Sequence, residues 1–251
     1  MLKFILAIIY FIIGTLLGSF CTLAVYRIPL KEDITHKRSF CPNCNHKLNF
    51  LDLIPVWSYI FLGGKCRYCK KPIRARYIIL ELLSGIAFMV FGLSFDIDLY
   101  NTQITDLIFI LFGMIYLCVF EITAGIDFEN KKFEKGVLNF ELIITIIYML
   151  YLCILGVNMY RYIIYFIIIL GMFIFRRIKP SYTLDLITYL LLALVYIGTK
   201  TMFLTIIVTL FAIALKNIID ISNKQEKKYA IGGIFSVILI INLVIQNYSL
   251  I

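Results

Sequence analysis

Apolar runs of 17 or more residues recur from Phe4 to Ile241, and no other feature narrows the fold of this chain as much. A run of that length can satisfy its own backbone hydrogen bonds inside hydrocarbon as a helix, and a water-soluble core has no room for several of them. Hydrophobic residues make up 62% of the chain, which leaves little sequence for anything else. The chain therefore reads as an all-α polytopic membrane protein with about eight transmembrane helices. The spans are expected at 3–26, 78–95, 105–125, 137–156, 161–176, 183–199, 201–216 and 230–247. The later boundaries are weakly marked, because Gly198 to Thr201 barely interrupts the hydropathy. The apolar stretch before Arg27 is too long for a signal peptide and meets no small-residue cleavage site, so it is expected to remain as the first span.

Charge sets the orientation. The segment Arg27 to Tyr77 holds 11 Lys or Arg, Asp127 to Lys135 three, Arg176 to Lys179 three, and Lys216 to Lys228 four, which is 21 of the 24 in the chain. With eight spans all four segments fall on one side, and the opposite side keeps Lys3, Arg161 and Lys200. Positive residues collect on the cytoplasmic side, so these segments are expected there and both termini outside. The net charge of +9 is then a matter of topology and of attraction to anionic headgroups, and nucleic acid is not expected as a partner.

The long basic loop between the first and second spans carries Cys41-Pro42-Asn43-Cys44 and, after a 21-residue gap, Cys66-Arg67-Tyr68-Cys69. Thiolates two residues apart grip one side of a tetrahedral zinc, and a second pair closes a structural four-sulfur site. A reducing cytoplasm argues against disulfides there. His36 and His46 lie in the same loop, but four spaced cysteines make a histidine ligand unnecessary. Cys21, Cys118 and Cys153 sit singly in apolar spans and read as core residues. Gly14 and Gly18 form a small-xxx-small pair suited to close helix packing.

Carboxylates in or beside a membrane call for a reason, and Glu81, Glu121, Asp127, Glu141 and Asp185 all qualify. Asp127 ends the third span and Asp185 opens the sixth, at one expected depth on one side of the bilayer. Two aspartates meeting there would share a proton, as like charges at close range do not both ionise. Such a pair could activate a water and polarise a peptide carbonyl. Position alone also permits two plainer roles: a helix cap for Asp185 and a solvated loop residue beside Lys131 and Lys132 for Asp127. An acidic patch of Glu81, Glu121, Glu129 and Glu134 would suit a basic peptide, although Glu81 and Glu121 could instead pair with nearby Lys or Arg.

The order of short motifs resembles the type IV prepilin peptidases. They are Gly18-Ser19-Phe20, Tyr26-Arg27-Ile28-Pro29, the two cysteine pairs, Ile54-Pro55-Val56-Trp57-Ser58, Pro72-Ile73 and Arg76-Tyr77 with Glu81-Leu82. The resemblance implies a first span at 1–26, a zinc-binding loop domain at 27–77 and an aspartyl peptidase core at 78–251. It implies Asp127 and Asp185 as the catalytic pair. Two departures stand out: Phe133-Glu134-Lys135 replaces the family's Ile-Pro-Asp, and Tyr182-Thr183-Leu184-Asp185-Leu186-Ile187 lacks both glycines and the lysine of Gly-x-Gly-Asp-x-Lys.

The reading that follows is an intramembrane aspartyl endopeptidase in a bacterial inner membrane. It would remove the basic leader from type IV prepilins or pseudopilins at the cytoplasmic face. The resemblance adds S-adenosylmethionine-dependent methylation of the new N-terminus, with no residues assigned to it. Two alternatives stay open: a degenerate relative that binds prepilins without cutting them, and a zinc-loop membrane scaffold or transporter.

Overall fold

The computed structural model describes residues 2–36, 38–95, 97, 102–157, 159–222 and 230–245. It divides into two compact units, Met1–Gln103 with Val244–Ile251, and Ile104–Leu243. Among the described residues there are eight long helices and no extended strand, in agreement with an all-α fold. Four of them, Leu2–Arg27, Arg76–Ser94, Ile104–Asn130 and Lys135–Ile154, are long and apolar enough to cross a bilayer, and three shorter apolar helices follow. The chain is a multi-pass membrane protein. Of the fourth basic segment, 216–228, Lys224, Lys227 and Lys228 lie outside the described residues.

In the first unit, α1 (Leu2–Arg27) lies along α3 (Arg76–Ser94), with a short α2 (Trp57–Phe61) in the loop between them. At 1.5 Å per residue α1 is about 39 Å long, more than a hydrocarbon core. The small residues of α1 are what bring the two helices together. A β-carbon at Gly14 would lie 2.6 Å from Phe88 Cβ, and one at Gly18 would lie 2.5 Å from Ser84 Cβ. Ser84 Oγ donates across this seam to the Gly14 carbonyl at 2.9 Å, a polar contact that a lipid-facing position does not offer. Arg27 closes α1 with its side chain 2% exposed, and its guanidinium donates to the Asp33 carbonyl at 2.9 Å, which starts the loop on a fixed course.

The second unit contains α4 (Ile104–Asn130), α5 (Lys135–Ile154), α6 (Met159–Ile178), α7 (Tyr182–Ile197), α8 (Thr199–Ser222) and most of α9 (Ile231–Ile245). Helices α4 and α5 form a hairpin, and α5, α6 and α8 all pack on α7. The only interruption between α7 and α8 is Gly198 at φ +83°, a backbone that favours glycine. The core is aromatic. Tyr116 and Tyr196 stack at 4.6 Å, and Phe120 meets Tyr189 edge-on. Each of these tyrosine hydroxyls has a partner: Tyr116 with Thr145, Tyr189 with Ser236, and Tyr196 donating to the Phe109 carbonyl.

Two sequence expectations about helix ends are corrected here. Helix α4 runs five residues past 125, so Asp127 belongs to its last turn and is fully buried, not a solvated loop residue. Helix α7 starts at Tyr182 with Ser181 at the cap position, so Asp185 is not the cap; its own N–H donates to the Ser181 carbonyl.

Candidate functional site

The four loop cysteines converge. Their sulfur atoms lie within 4.8 Å of one another, with Cys41 Sγ 3.9 Å from Cys69 Sγ. A tetrahedron with metal–sulfur bonds near 2.3 Å has edges of about 3.8 Å, so this set needs only shifts of about 1 Å or less to hold a zinc-sized ion. Two copies of one backbone turn build it. Cys41 N–H donates to the His46 carbonyl and Asn45 N–H to the Cys41 carbonyl; 25 positions on, Cys66 N–H donates to Lys71 and Lys70 N–H to Cys66. Asn45 and Lys70 take the matching positive φ, +56° and +59°, and each turn is closed by an antiparallel bridge, Phe40 with Lys47 and Lys65 with Pro72.

Burial works against ionisation of Cys41, but hydrogen bonds from the N–H groups of Asn43 and Cys44 and from neighbouring thiols outweigh it. Its thiol comes down to about 7. Neither loop histidine joins the set. His36 is engaged by Asp33 and Thr35, and the His46 ring lies tilted against Tyr68 with ring centres 3.6 Å apart.

A polar network ties the turns together. Asp52, which the sequence did not single out, accepts from Arg67 Nε at 2.6 Å, from Tyr68 Oη at 3.2 Å and from Asn49 N–H at 3.1 Å. Partial burial would raise its carboxyl, yet these donors hold it below the usual carboxylate range.

The second cluster lies in the Ile104–Leu243 unit. Asp127 Oδ2 accepts from Gly233 N–H at 2.7 Å and from Tyr182 Oη at 3.0 Å, while Oδ1 is buried without a hydrogen-bond partner among the described residues. Tyr182 Oη accepts in turn from Gly232 N–H at 3.0 Å. Gly232 and Gly233 open α9, where the first N–H groups have no partner inside the helix, so the Asp127 carboxylate and its tyrosine cap that helix from α4 and α7. Side chains would prevent this approach. A β-carbon at Gly232 would run into the Phe133 ring, and one at Gly233 would lie 3.1 Å from Phe128. Phe133 also packs on Tyr182 and Tyr189.

Asp185 stands one helical turn after Tyr182, and residues three apart share a helix face with Cβ atoms about 5–6 Å apart. Its Oδ1 lies 3.2 Å from Nε of the buried Arg176, whose guanidinium sits over the Phe173 ring and keeps Nη1 unpaired among the described residues. The two aspartates thus meet the same helix, but each is held by partners of its own.

The four glutamates of the expected acidic patch are differently placed. Glu81 belongs to the first unit and accepts from Val56 N–H at 2.8 Å. Glu134 pairs with Lys132 at 2.6 Å, Glu121 is half-buried on α4, and Glu129 is exposed near its end. Glu141 is fully buried in α5 with neither oxygen hydrogen-bonded among the described residues.

Gly232, Gly233 and Arg176 were missed in the sequence. The signal for the glycines was the pair itself, opening an apolar run directly after a charged stretch.

Residues 12–95 match the family described as Bacterial Peptidase A24 N-terminal domain. This N-terminal segment is similar to the corresponding part of the prepilin leader peptidases. Relatives of the prepilin peptidase family include a prepilin leader peptidase/N-methyltransferase of Vibrio cholerae. It is 37% identical over 123 residues, which are 45% of this chain and 48% of that protein. Proteins of the same description from Bacillus subtilis and Myxococcus xanthus are 42% identical over 91 residues and 37% over 95. Those matches cover 36% of this chain in both cases, and 37% and 28% of the relatives. The chain thus spans about half the length, or less, of these curated relatives. No solved structure matches it.

Proposed function

We propose that the chain is an aspartyl prepilin peptidase, cutting type IV prepilins or pseudopilins at the junction between a basic leader and an apolar helix. The observation that carries this reading is the setting of Asp127: a carboxylate buried at the end of a membrane helix, oriented by two donors through one oxygen and, among the described residues, unpaired at the other. Asp185 projects from the helix that supplies one of those donors. Asp127 Oδ1 takes the proton of the attacking water. Asp185, released from Arg176 and carrying a proton, donates to the carbonyl oxygen. Collapse of the tetrahedral intermediate returns a proton to the leaving amine. The two groups titrate as a pair.

In this reading the loop cysteines hold one structural zinc. They leave no open coordination position, so the metal fixes the loop and takes no part in proteolysis. The loop and both aspartates face the cytoplasm, where Lys- or Arg-rich leaders arrive. Of the expected patch, Glu121, Glu129 and Glu134 lie in the second unit and are the groups proposed to meet a leader, Glu134 from its pair with Lys132, while Glu81 accepts from Val56 N–H. The N-methyltransferase activity in the relatives' description is carried over as a second reaction drawing on S-adenosylmethionine, with no residue assigned.

The replacement of both signature glycines, with Tyr182 bonded directly to Asp127, favours one second reading: a relative that binds prepilins without cutting. Co-expression with a candidate prepilin separates the two. The peptidase reading expects a mobility shift with the parent chain and none with Asp127→Asn or Asp185→Asn, at equal membrane levels and equal metal content. An uncut prepilin that still co-purifies with the parent chain supports the binding relative.

A further inference from the structure

The segment between the cysteine pairs is apolar where a water-exposed loop has no use for it. Phe50 and Phe61 are each 80% exposed, Trp57 is 59% exposed, and Leu51, Leu53 and Ile60 are exposed beside them. They form an outward face. The Phe50–Asp52 turn packs against α2, and Trp57 stacks on Phe61 one helical turn away. Tyr59 points the other way, with its ring against Gly64.

The backbone that aims this face is strained. Val56 has φ +63° and ψ −55°, a conformation that a β-branched residue rarely adopts, within a tight turn in which Trp57 N–H donates to the Pro55 carbonyl at 2.6 Å. Strain of this kind persists only where the surroundings enforce it. Here the Val56 N–H is fixed to Glu81 Oε2 at 2.8 Å. Glu81 is five residues into α3, or about 7.5 Å along the helix axis. A side chain of a candidate membrane span therefore holds the residue next to Trp57 within the first turns of that span.

We infer that this face, Phe50, Leu51, Leu53, Trp57, Ile60 and Phe61, beds into the headgroup layer of an anionic bilayer beside α3. Three observations select lipid as the occupant. Both ends of the loop continue into long apolar helices, so the bilayer is always within reach. The anchor at Glu81 sets the face at the depth where tryptophan and exposed aliphatic side chains are stable in a membrane. The charge is complementary as well, since residues 28–77 hold ten Lys or Arg against three acidic residues, with Lys65, Lys70, Lys71 and Arg74 close in sequence to the face. The inference rests on the membrane reading of α1 and α3 and is independent of the peptidase reading.

Trp57 is the sole tryptophan of the chain, so the protein carries its own reporter. The full chain is reconstituted into vesicles of phosphatidylethanolamine and phosphatidylglycerol with ordinary or brominated acyl chains, and its emission is read with acrylamide as the aqueous quencher. The expected result is loss of emission with bromine, greater for bromine at carbons 6 and 7 than at 11 and 12, together with weak acrylamide quenching. Glu81→Leu, which frees Val56, is expected to reduce the bromine effect and restore access to acrylamide. Strong acrylamide quenching with no bromine effect would overturn the inference, because the face would then stand in water. Shielding from both quenchers would overturn it as well, because protein would then cover the face.

Discussion

Tyr182 stands where the prepilin peptidase signature has its first glycine, and it fills the space that the glycine would leave open. Its hydroxyl donates to Asp127 and accepts from Gly232, so one side chain satisfies both a carboxylate and a helix end. Tyr182→Phe removes the donor to Asp127 and strands the Gly232 N–H. Leaving one buried donor unpaired costs about 1–3 kcal/mol. Gly232→Ala forces a methyl group into the Phe133 ring and should cost a similar amount, about 1–3 kcal/mol, as overpacking does elsewhere. Both variants should melt lower than the parent in a detergent-based thermal assay, whereas Thr183→Ala, at an exposed position of the same helix turn, should not. Asp127 and the cysteines were legible from residue type and position. The partners of Asp127 were not, because Gly233 lies 106 residues away and the bond comes from its backbone, which carries no side-chain signature.

The four-cysteine loop is built from two copies of one turn, which sequence hides because only the cysteines repeat while Asn45 answers to Lys70 and His46 to Lys71. At the scale of this element the expected outcome is about one zinc per chain by elemental analysis, lost in the Cys41→Ser, Cys44→Ser double variant. Asp52→Asn weakens the network between the turns and should speed zinc loss to a chelator. Acid should act in the same direction. The Asp52 carboxyl lies below its unfolded value, so its contribution is complete above the ordinary carboxylate range and fades as pH falls through the lowered value. Rates of zinc release at stepped pH, parent against Asp52→Asn, check this; parallel curves would remove Asp52 from the account.

Across the whole chain the helices were legible because apolar runs leave no alternative, and their expected positions agree with the eight long helices to within a few residues at most ends. The exceptions are instructive. The α4 helix continues through Asp127-Phe128-Glu129-Asn130 because Asp127 and Phe128 have partners on α9, which no hydropathy window registers. The Phe50–Asp52 turn and α2 were read as loop, since five residues are too few for a period to show. Orientation is a property of the entire molecule and has its own test. Reporters fused after Lys179 should be active as cytoplasmic fluorescent proteins, and those fused after Gly156 as exported phosphatase; the opposite pattern would invert the topology.

Asp127 closes the open end of α9, and that task has nothing to do with breaking a peptide bond. A lineage that stopped processing pilins would still lose membrane protein to quality control if this aspartate changed to alanine. Purifying selection would therefore guard the position in active and retired copies alike. A surviving aspartate at the end of the third span is thus a poor marker for sorting working genes from relics. The Asp185 carboxylate pairs with the Arg176 guanidinium and caps no helix, so the site beside it is the one whose drift would record the loss.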